Sequence, residues 1–216
     1  MIMDIQESYD SAALAYVEHL ASELAGKPLD RHLLHRFAEE TRDRGPVADL
    51  GCGPGHVAKY LQALGVRMIG VDISPKMIEC AKRLAPDVAF RVDDVRSLNF
   101  SDGELAGVVA FYLIVHFEPT ELEDVLREMR RVLEPGGVAF LSFHVGDGVI
   151  HRDELFGAPV NLDFRFHHTK EVISALEAAG LAVFEQIERE PYEAEYPSRR
   201  CYLFARASRA PKLSEE

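Results

Sequence analysis

The chain is short of the features that mark several classes of protein. It holds three cysteines, Cys52, Cys80 and Cys201, an odd number with no C-x-x-C pair. They argue against both a disulfide framework and a zinc site, and they suit a reducing cytoplasm. No apolar run is long: the longest, Leu105 to Val115, is too short to span a bilayer. The opening residues, MIMDIQESYD, have no basic region leading into an apolar stretch, which argues against a secretory signal. Positive charge is scarce, 24 Lys and Arg against 36 Asp and Glu, and the formal net charge of −12 disfavours sequence-independent contact with nucleic-acid phosphates. Internal repeats and low-complexity segments are absent. Of the 216 residues, 47% are apolar, enough to bury one core, so a single domain over residues 1–207 is expected, with a polar tail at 208–216.

What the chain does have is concentrated in Val47 to His56, VADLGCGPGH, and the run Ile69-Gly-Val-Asp72. The first segment reads as a buried strand (Val47, Ala48, Leu50) breaking into a glycine-rich turn and then a helix. The second reads as another buried strand ending in a carboxylate, 21 residues on from Gly51. That arrangement is how an α/β sheet holds an adenosine-containing cofactor. Gly51 and Gly53 allow a sharp turn with no Cβ to push a ligand away. Gly55 lets the helix lie close to the crevice, and Pro54 suits its first turn. Asp72 stands where it could accept both hydroxyls of a ribose. The spacing is G-x-G-x-G, not G-x-G-x-x-G, and Asp49 precedes it; a pyrophosphate would be repelled there, whereas a cationic amino-acid cofactor would be tolerated.

Along the rest of the chain strands and helices alternate. Tyr9, Ala13, Tyr16, Leu20 and Leu24 form a helical stripe over residues 4–25, ended by Gly26-Lys27-Pro28. A second helix follows from Leu29 to Arg42. Ser74-Pro75 starts another, with Met77, Ile78, Ala81, Leu84 and Ala85 on its buried face. Val88 to Val92 is a third strand, and Gly107 to Tyr112 a fourth, apolar on both faces. Thr120 with Glu123 reads as a capping box. Pro135-Gly136-Gly137 leads into a fifth strand, Val138 to Phe143. A helix over Thr169 to Ala179 and strands over Leu181 to Glu188 and Arg200 to Ala207 close the chain. The pattern predicts a doubly wound α/β domain.

The glycine segment resembles motif I of the class I S-adenosylmethionine-dependent methyltransferases, D/E-x-G-x-G-x-G, matched by Asp49, Gly51, Gly53 and Gly55. Asp93 to Phe100 is similar to the family segment G-D-x-x-x-L-P-F, which puts the adenine-contacting acid on Asp94. Arg131 to Gly137 resembles the R-x-L-x-P-G-G turn, and Tyr9-Asp10-x-x-Ala13-x-x-Tyr16 the N-terminal helix that lids the cofactor in small-molecule members. The chain departs from the family at Ala106, Asn99 and Glu134. The resemblance implies a Rossmann-like, seven-stranded, mostly parallel sheet with an antiparallel last strand, and S-adenosyl-L-methionine as cofactor. The residues it assigns to that cofactor are Tyr9, Tyr16, Asp49, Gly51, Gly53, Gly55, His56, Asp72, Ile73, Met77, Asp94, Val95 and Phe111, with no metal. Residues 1–44 become a helical lid, 45–143 the cofactor core and 169–207 the closing helix and strands. Neither N/D-P-P-Y/F nor a Pro-Cys pair is present, so the motifs as well as the charge disfavour a nucleic-acid substrate.

Methyl transfer from a sulfonium needs alignment of an acceptor; an oxygen or neutral-nitrogen acceptor of high pKa also benefits from a base, whereas an ionised thiol or carboxylate needs none. Histidine is the natural candidate, and two sit just past strand ends, where an open parallel sheet has its crevice. These are His116 and His144; each either acts as the base or braces its loop. Residues 144–168 exceed an ordinary crossover and suggest a substrate lid. Phe143, Phe156, Phe164, Phe166 and Tyr112 form either an acceptor pocket or plain core. Arg165, Arg199 and Arg200 either hold an acidic group or pair with Glu residues. The expectation is a cytoplasmic enzyme, monomeric or homodimeric, that methylates O, N or S of a small molecule. The alternatives are a nicotinamide-dependent oxidoreductase on a similar sheet and a non-catalytic S-adenosylmethionine-binding module.

Overall fold

The structure, a computed structural model, describes residues 3–208. Nine strands and six α-helices follow one another among them. They are α1 (Ile5–Leu20), α2 (Pro28–Thr41), β1 (Val47–Leu50), α3 (His56–Ala63), β2 (Met68–Asp72), α4 (Pro75–Leu84), β3 (Ala89–Val92), β4 (Leu105–Phe111), α5 (Pro119–Val132), β5 (Leu133–Val145), β6 (Val149–Leu155), β7 (Ala158–Arg165), α6 (Thr169–Ala178), β8 (Leu181–Arg189) and β9 (Arg199–Ala207). Seven strands form one sheet in the order β3-β2-β1-β4-β5-β9-β8. β1 to β5 are parallel, and β9 runs antiparallel between β5 and β8.

Both faces of the sheet are covered, which is why β4 reads LAGVVAF without polar alternation. On one side Leu122, Val125, Leu126 and Met129 of α5 and Val172 and Leu176 of α6 pack on Leu50, Val108, Ala110 and Leu141. On the other, Leu33, Leu34 and Phe37 of α2 and Val57 and Leu61 of α3 pack on Val47, Val109 and Phe140. The β1/β4 reversal of strand order leaves a crevice at their carboxyl ends.

Several local expectations are corrected. The first helix stops at Leu20, and Glu23–Gly26 forms a separate 3₁₀ turn. α3 starts at His56 with Gly55 as its left-handed N-cap, so Pro54 precedes the helix. The cap of α5 is Glu118 with Glu121, two residues before the expected pair, because Pro119 fixes φ at the first helical position. β5 begins at Leu133, and the Pro135-Gly136-Gly137 segment lies within it beside a register shift between Leu105 and Gly107. Ser208, expected in the polar tail, accepts from Arg130 and donates to Gly180; residues 209–216 lie outside those described.

The expected lid segment is a β-hairpin of β6 and β7, not a loop. Its tip, Phe156-Gly157, turns through φ values of 53° and 82°. Val160 and Leu162 alternate along β7 and bury against Ala12, with Ile5 and Tyr9 of α1 packed alongside. Ser8 and Asn161 exchange hydrogen bonds across this contact. Helix α1 and the hairpin are therefore packed together as one unit.

Candidate cofactor site

The glycine turn after β1 is built around backbone that side chains resist. Gly51 and Gly53 have φ of 66° and 50°, in the region where L-residues other than glycine are strained. A Cβ on Gly51 would stand 2.7 Å from a methyl of Leu113. The turn is held by the acid at the end of the neighbouring strand: the Asp72 carboxylate accepts from Gly53 N–H at 2.8 Å and from Ser74 N–H at 2.9 Å. Burial pushes the Asp72 carboxyl up to about 6, against the pull of those two N–H donors. Asp10 of α1 accepts from Ser74 Oγ at 2.5 Å, tying that helix to the same loop.

Asp49 stands behind the glycine turn. It is 2% exposed and accepts from Ala58 N–H at 3.1 Å, so from β1 it caps the α3 N-terminus, where Gly55 has no side chain to do so. Burial pushes its carboxyl up to about 8. Asp94 is held by Arg96: the guanidinium donates to both carboxylate oxygens, at 2.7 to 3.1 Å, and the Arg96 N–H to one of them. Those bonds hold the Asp94 carboxyl below its ordinary value.

A cavity of about 230 Å³ opens beside these groups. Of the residues assigned from the sequence, Tyr9, Tyr16, Gly51, Gly53, Asp72, Ile73, Met77, Asp94, Val95, Phe111 and His116 line it. Ile5, Arg96, Tyr112, Leu113, Phe117 and Glu121 line it as well; of these only Tyr112 had been considered, as part of an aromatic group. Asp49, Gly55, His56 and His144 are not among the lining residues. Gly55 instead gives room to Phe90, whose ring would stand 2.7 Å from an added Cβ. His56 pairs with Glu23 at 2.9 Å. His144 meets Ser198 Oγ at 2.7 Å and packs against Tyr112, Phe166 and Tyr196; burial holds its ring near 4, neutral at physiological pH.

His116 stands on the 3₁₀ turn Ile114–His116 after β4. Its Nδ1 lies 3.3 Å from the Asp163 carbonyl oxygen and its Nε2 2.7 Å from the Tyr9 hydroxyl. A carbonyl only accepts, so the ring proton is on Nδ1 and Nε2 accepts from Tyr9. Burial holds the His116 ring near 4 and raises the Tyr9 hydroxyl above its usual range, so both are neutral near pH 7. Tyr112, directly after β4, has φ 53°, a strained position at the crevice, and its buried hydroxyl meets no hydrogen-bond partner among the described residues.

The five aromatic candidates do not make one pocket. Phe143 is core, Phe164 packs on His116, Phe166 on His144, and Phe156 stacks on His19 at the hairpin tip. The three arginines pair with acids: Arg165 with Glu118, Arg199 with Glu188, and Arg200, 3% exposed, with Glu195 at 3.3 Å.

Sheet order, glycine turn and acid-ended second strand define a domain of the kind that binds an adenosine cofactor at its switch point. Residues 47–137 match the family model described as methyltransferase domain. Along 93% of its length the chain is 28% identical to the malonyl-[acyl-carrier protein] O-methyltransferase of Dechloromonas aromatica, covering 74% of that protein. It is 33% identical over 46% of its length to the N-demethylindolmycin N-methyltransferase of Streptomyces griseus, covering 44% of it. The chain thus spans about half the length of several curated relatives, 47% and 44% in two cases. The solved structure of the CcbJ methyltransferase from Streptomyces caelestis superposes with a TM-score of 0.73 at 22% identity, covering 94% of this chain and 98% of that one. The chain is thus similar to methyltransferases, over residues 47–137 in the family model and along most of its length in one O-methyltransferase, and it shares the fold of S-adenosylmethionine-dependent methyltransferases of known structure. No helix among the described residues is long and apolar enough to cross a membrane.

Proposed function

We propose that the chain transfers the methyl group of S-adenosyl-L-methionine to an oxygen, nitrogen or sulfur atom of a small molecule. The observation that carries this is the chemistry of the cavity wall. Three carboxylates, Asp72, Asp94 and Glu121, face one guanidinium, Arg96, already committed to Asp94. Such a wall suits a ligand with hydroxyls and positive charge, and it repels the pyrophosphate of a nicotinamide dinucleotide. Gly51 and Gly53 would lie along the amino-acid end, Asp72 on the ribose and Asp94 on the adenine. Asp94 keeps lone-pair capacity for that contact beside its bonds to Arg96. Asp49, largely protonated near pH 7 in the free chain, would ionise as the cationic end arrives and favour it from behind the turn, without touching the ligand.

When bound, the cofactor supplies an activated methyl group, so the chain's own task is alignment, exclusion of water and removal of a proton where the acceptor carries one. Helix α1 forms part of the cavity wall with the β6–β7 hairpin packed against it, and His116 is the histidine at that wall. The relatives named above methylate malonyl-[acyl-carrier protein] and N-demethylindolmycin, and the formal net charge of −12 here is in keeping with an acceptor other than a nucleic acid. The test is incubation with methyl-labelled cofactor and a panel of hydroxyl, amine and thiol compounds. Labelled product together with S-adenosylhomocysteine supports the reading. Tight cofactor binding with no labelled product from any acceptor favours a non-catalytic binding module instead.

A further inference from the structure

The pair Tyr9–His116 joins helix α1 to the body of the protein and has a polarity that restricts the acceptor. The two residues lie 107 positions apart, one on α1 and the other past β4, and both reach the cavity wall. The Asp163 carbonyl fixes the His116 tautomer, so the Tyr9 hydrogen is spent on Nε2. The Tyr9 oxygen then offers the cavity only lone pairs. Phe164 and the edge of the Tyr9 ring enclose the imidazole, and Tyr16 and Asp72 stand beyond Tyr9. Whatever meets Tyr9 must donate a hydrogen bond to it.

We propose that Tyr9 is a catalytic proton acceptor, with His116 as the positioning residue that ends the relay, and that the acceptor is a hydroxyl compound. This rests on the methyl-transfer reading and narrows it to oxygen. The acceptor oxygen uses a lone pair to form its bond to the methyl carbon, while the electron pair of the broken carbon–sulfur bond stays on sulfur. The acceptor's O–H proton passes to Tyr9 Oη as Tyr9 gives its own to His116 Nε2. One positive charge leaves sulfur and one arrives on imidazole, so the net charge of the closed site is unchanged. An oxygen carrying both hydrogen and a new methyl group is a far stronger acid than imidazolium, so even a weakly basic, buried imidazole receives the proton. A methylated amine is a stronger base than imidazole and would keep its proton, and an ionised thiol brings none. The relay has a use only for the hydroxyl.

The experiment compares phenol, benzylamine and benzyl mercaptan as acceptors with methyl-labelled cofactor, using the whole chain and its Tyr9→Phe and His116→Gln variants. Binding of S-adenosylhomocysteine and the nitrogen resonances of ¹⁵N-histidine-labelled protein are measured alongside. The expected result is label on phenol oxygen and a His116 spectrum of the Nδ1–H tautomer that shifts on adding phenol to the S-adenosylhomocysteine complex. Turnover should fall by about 10²-fold in both variants, with the S-adenosylhomocysteine affinity of His116→Gln within about twofold. His116→Gln still accepts from Tyr9, so a merely structural role would leave its turnover intact. Transfer to nitrogen or sulfur in preference to oxygen overturns the proposal. Unchanged turnover in either variant does so too, as does an Nε2–H or protonated His116. Inert acceptors with no phenol-induced shift of His116 also overturn it. Failure of S-adenosylhomocysteine to bind at all overturns the methyl-transfer reading itself and this proposal with it.

Discussion

Replacing Asp49 by Asn separates what this acid costs the fold from what it gives the site. Asp49 is buried, caps α3 through Ala58 N–H, and carries a carboxyl pushed up to about 8 from an ordinary 3.8. The folded value is raised, so the stability it confers is complete below about pH 3.8 and is lost as pH rises to about 8. At about 1.4 kcal/mol per pKa unit, that loss reaches ~5 kcal/mol by pH 8. An asparagine oxygen can keep the cap, and an amide has no charge to desolvate. Urea unfolding of the apoprotein should therefore show an advantage of Asp49→Asn that grows by about 4 kcal/mol between pH 5 and pH 8. The same variant should bind the cationic cofactor more weakly. A stability difference that does not change with pH, or a variant less stable than the parent at pH 8, would refute the reasoning.

Asp72→Asn removes the charged acceptor proposed for two ribose hydroxyls, about 1.5–3 kcal/mol; calorimetry should show S-adenosylhomocysteine binding weakened by roughly 10- to 100-fold. Gly55→Ala puts a Cβ 2.7 Å from Phe90 at φ 80°, a cost of at least about 2 kcal/mol, and thermal unfolding should fall by roughly 4–8 °C. Tyr112→Phe removes a buried hydroxyl that meets no hydrogen-bond partner among the described residues; denaturant unfolding should show stability unchanged or up to about 1 kcal/mol higher.

The parts of this molecule that were legible beforehand are those in which neighbours in sequence are neighbours in space. The apolar runs of β1, β2 and β4 and the stripe of α5 carry their own periodicity, and the glycines between β1 and α3 carry their own backbone requirement. The hairpin escaped because His151, Arg152, Asp153 and Glu154 dilute the alternation of β6, and its tip has Phe156 where a left-handed turn usually shows Asn, Asp or Gly. Asp49 was recognised as part of a motif, but its bond to Ala58 reaches across the glycine turn and leaves no trace in spacing. His116 could be placed at a strand end from the sequence, whereas its pairing with Tyr9 depends on how α1 docks. His144 occupies the equivalent position after β5, yet faces Ser198 and Tyr196 because the β8–β9 connection folds over it.

The central claim is that the crevice beside Gly51, Gly53 and Asp72 holds the adenosyl cofactor of methyl transfer. Titration calorimetry of the whole chain with S-adenosylhomocysteine and, separately, with NADH tests it most directly. The account predicts saturable one-to-one binding of S-adenosylhomocysteine, lost or strongly weakened in Asp72→Asn, and no binding of NADH. Binding of NADH with none of S-adenosylhomocysteine would contradict it.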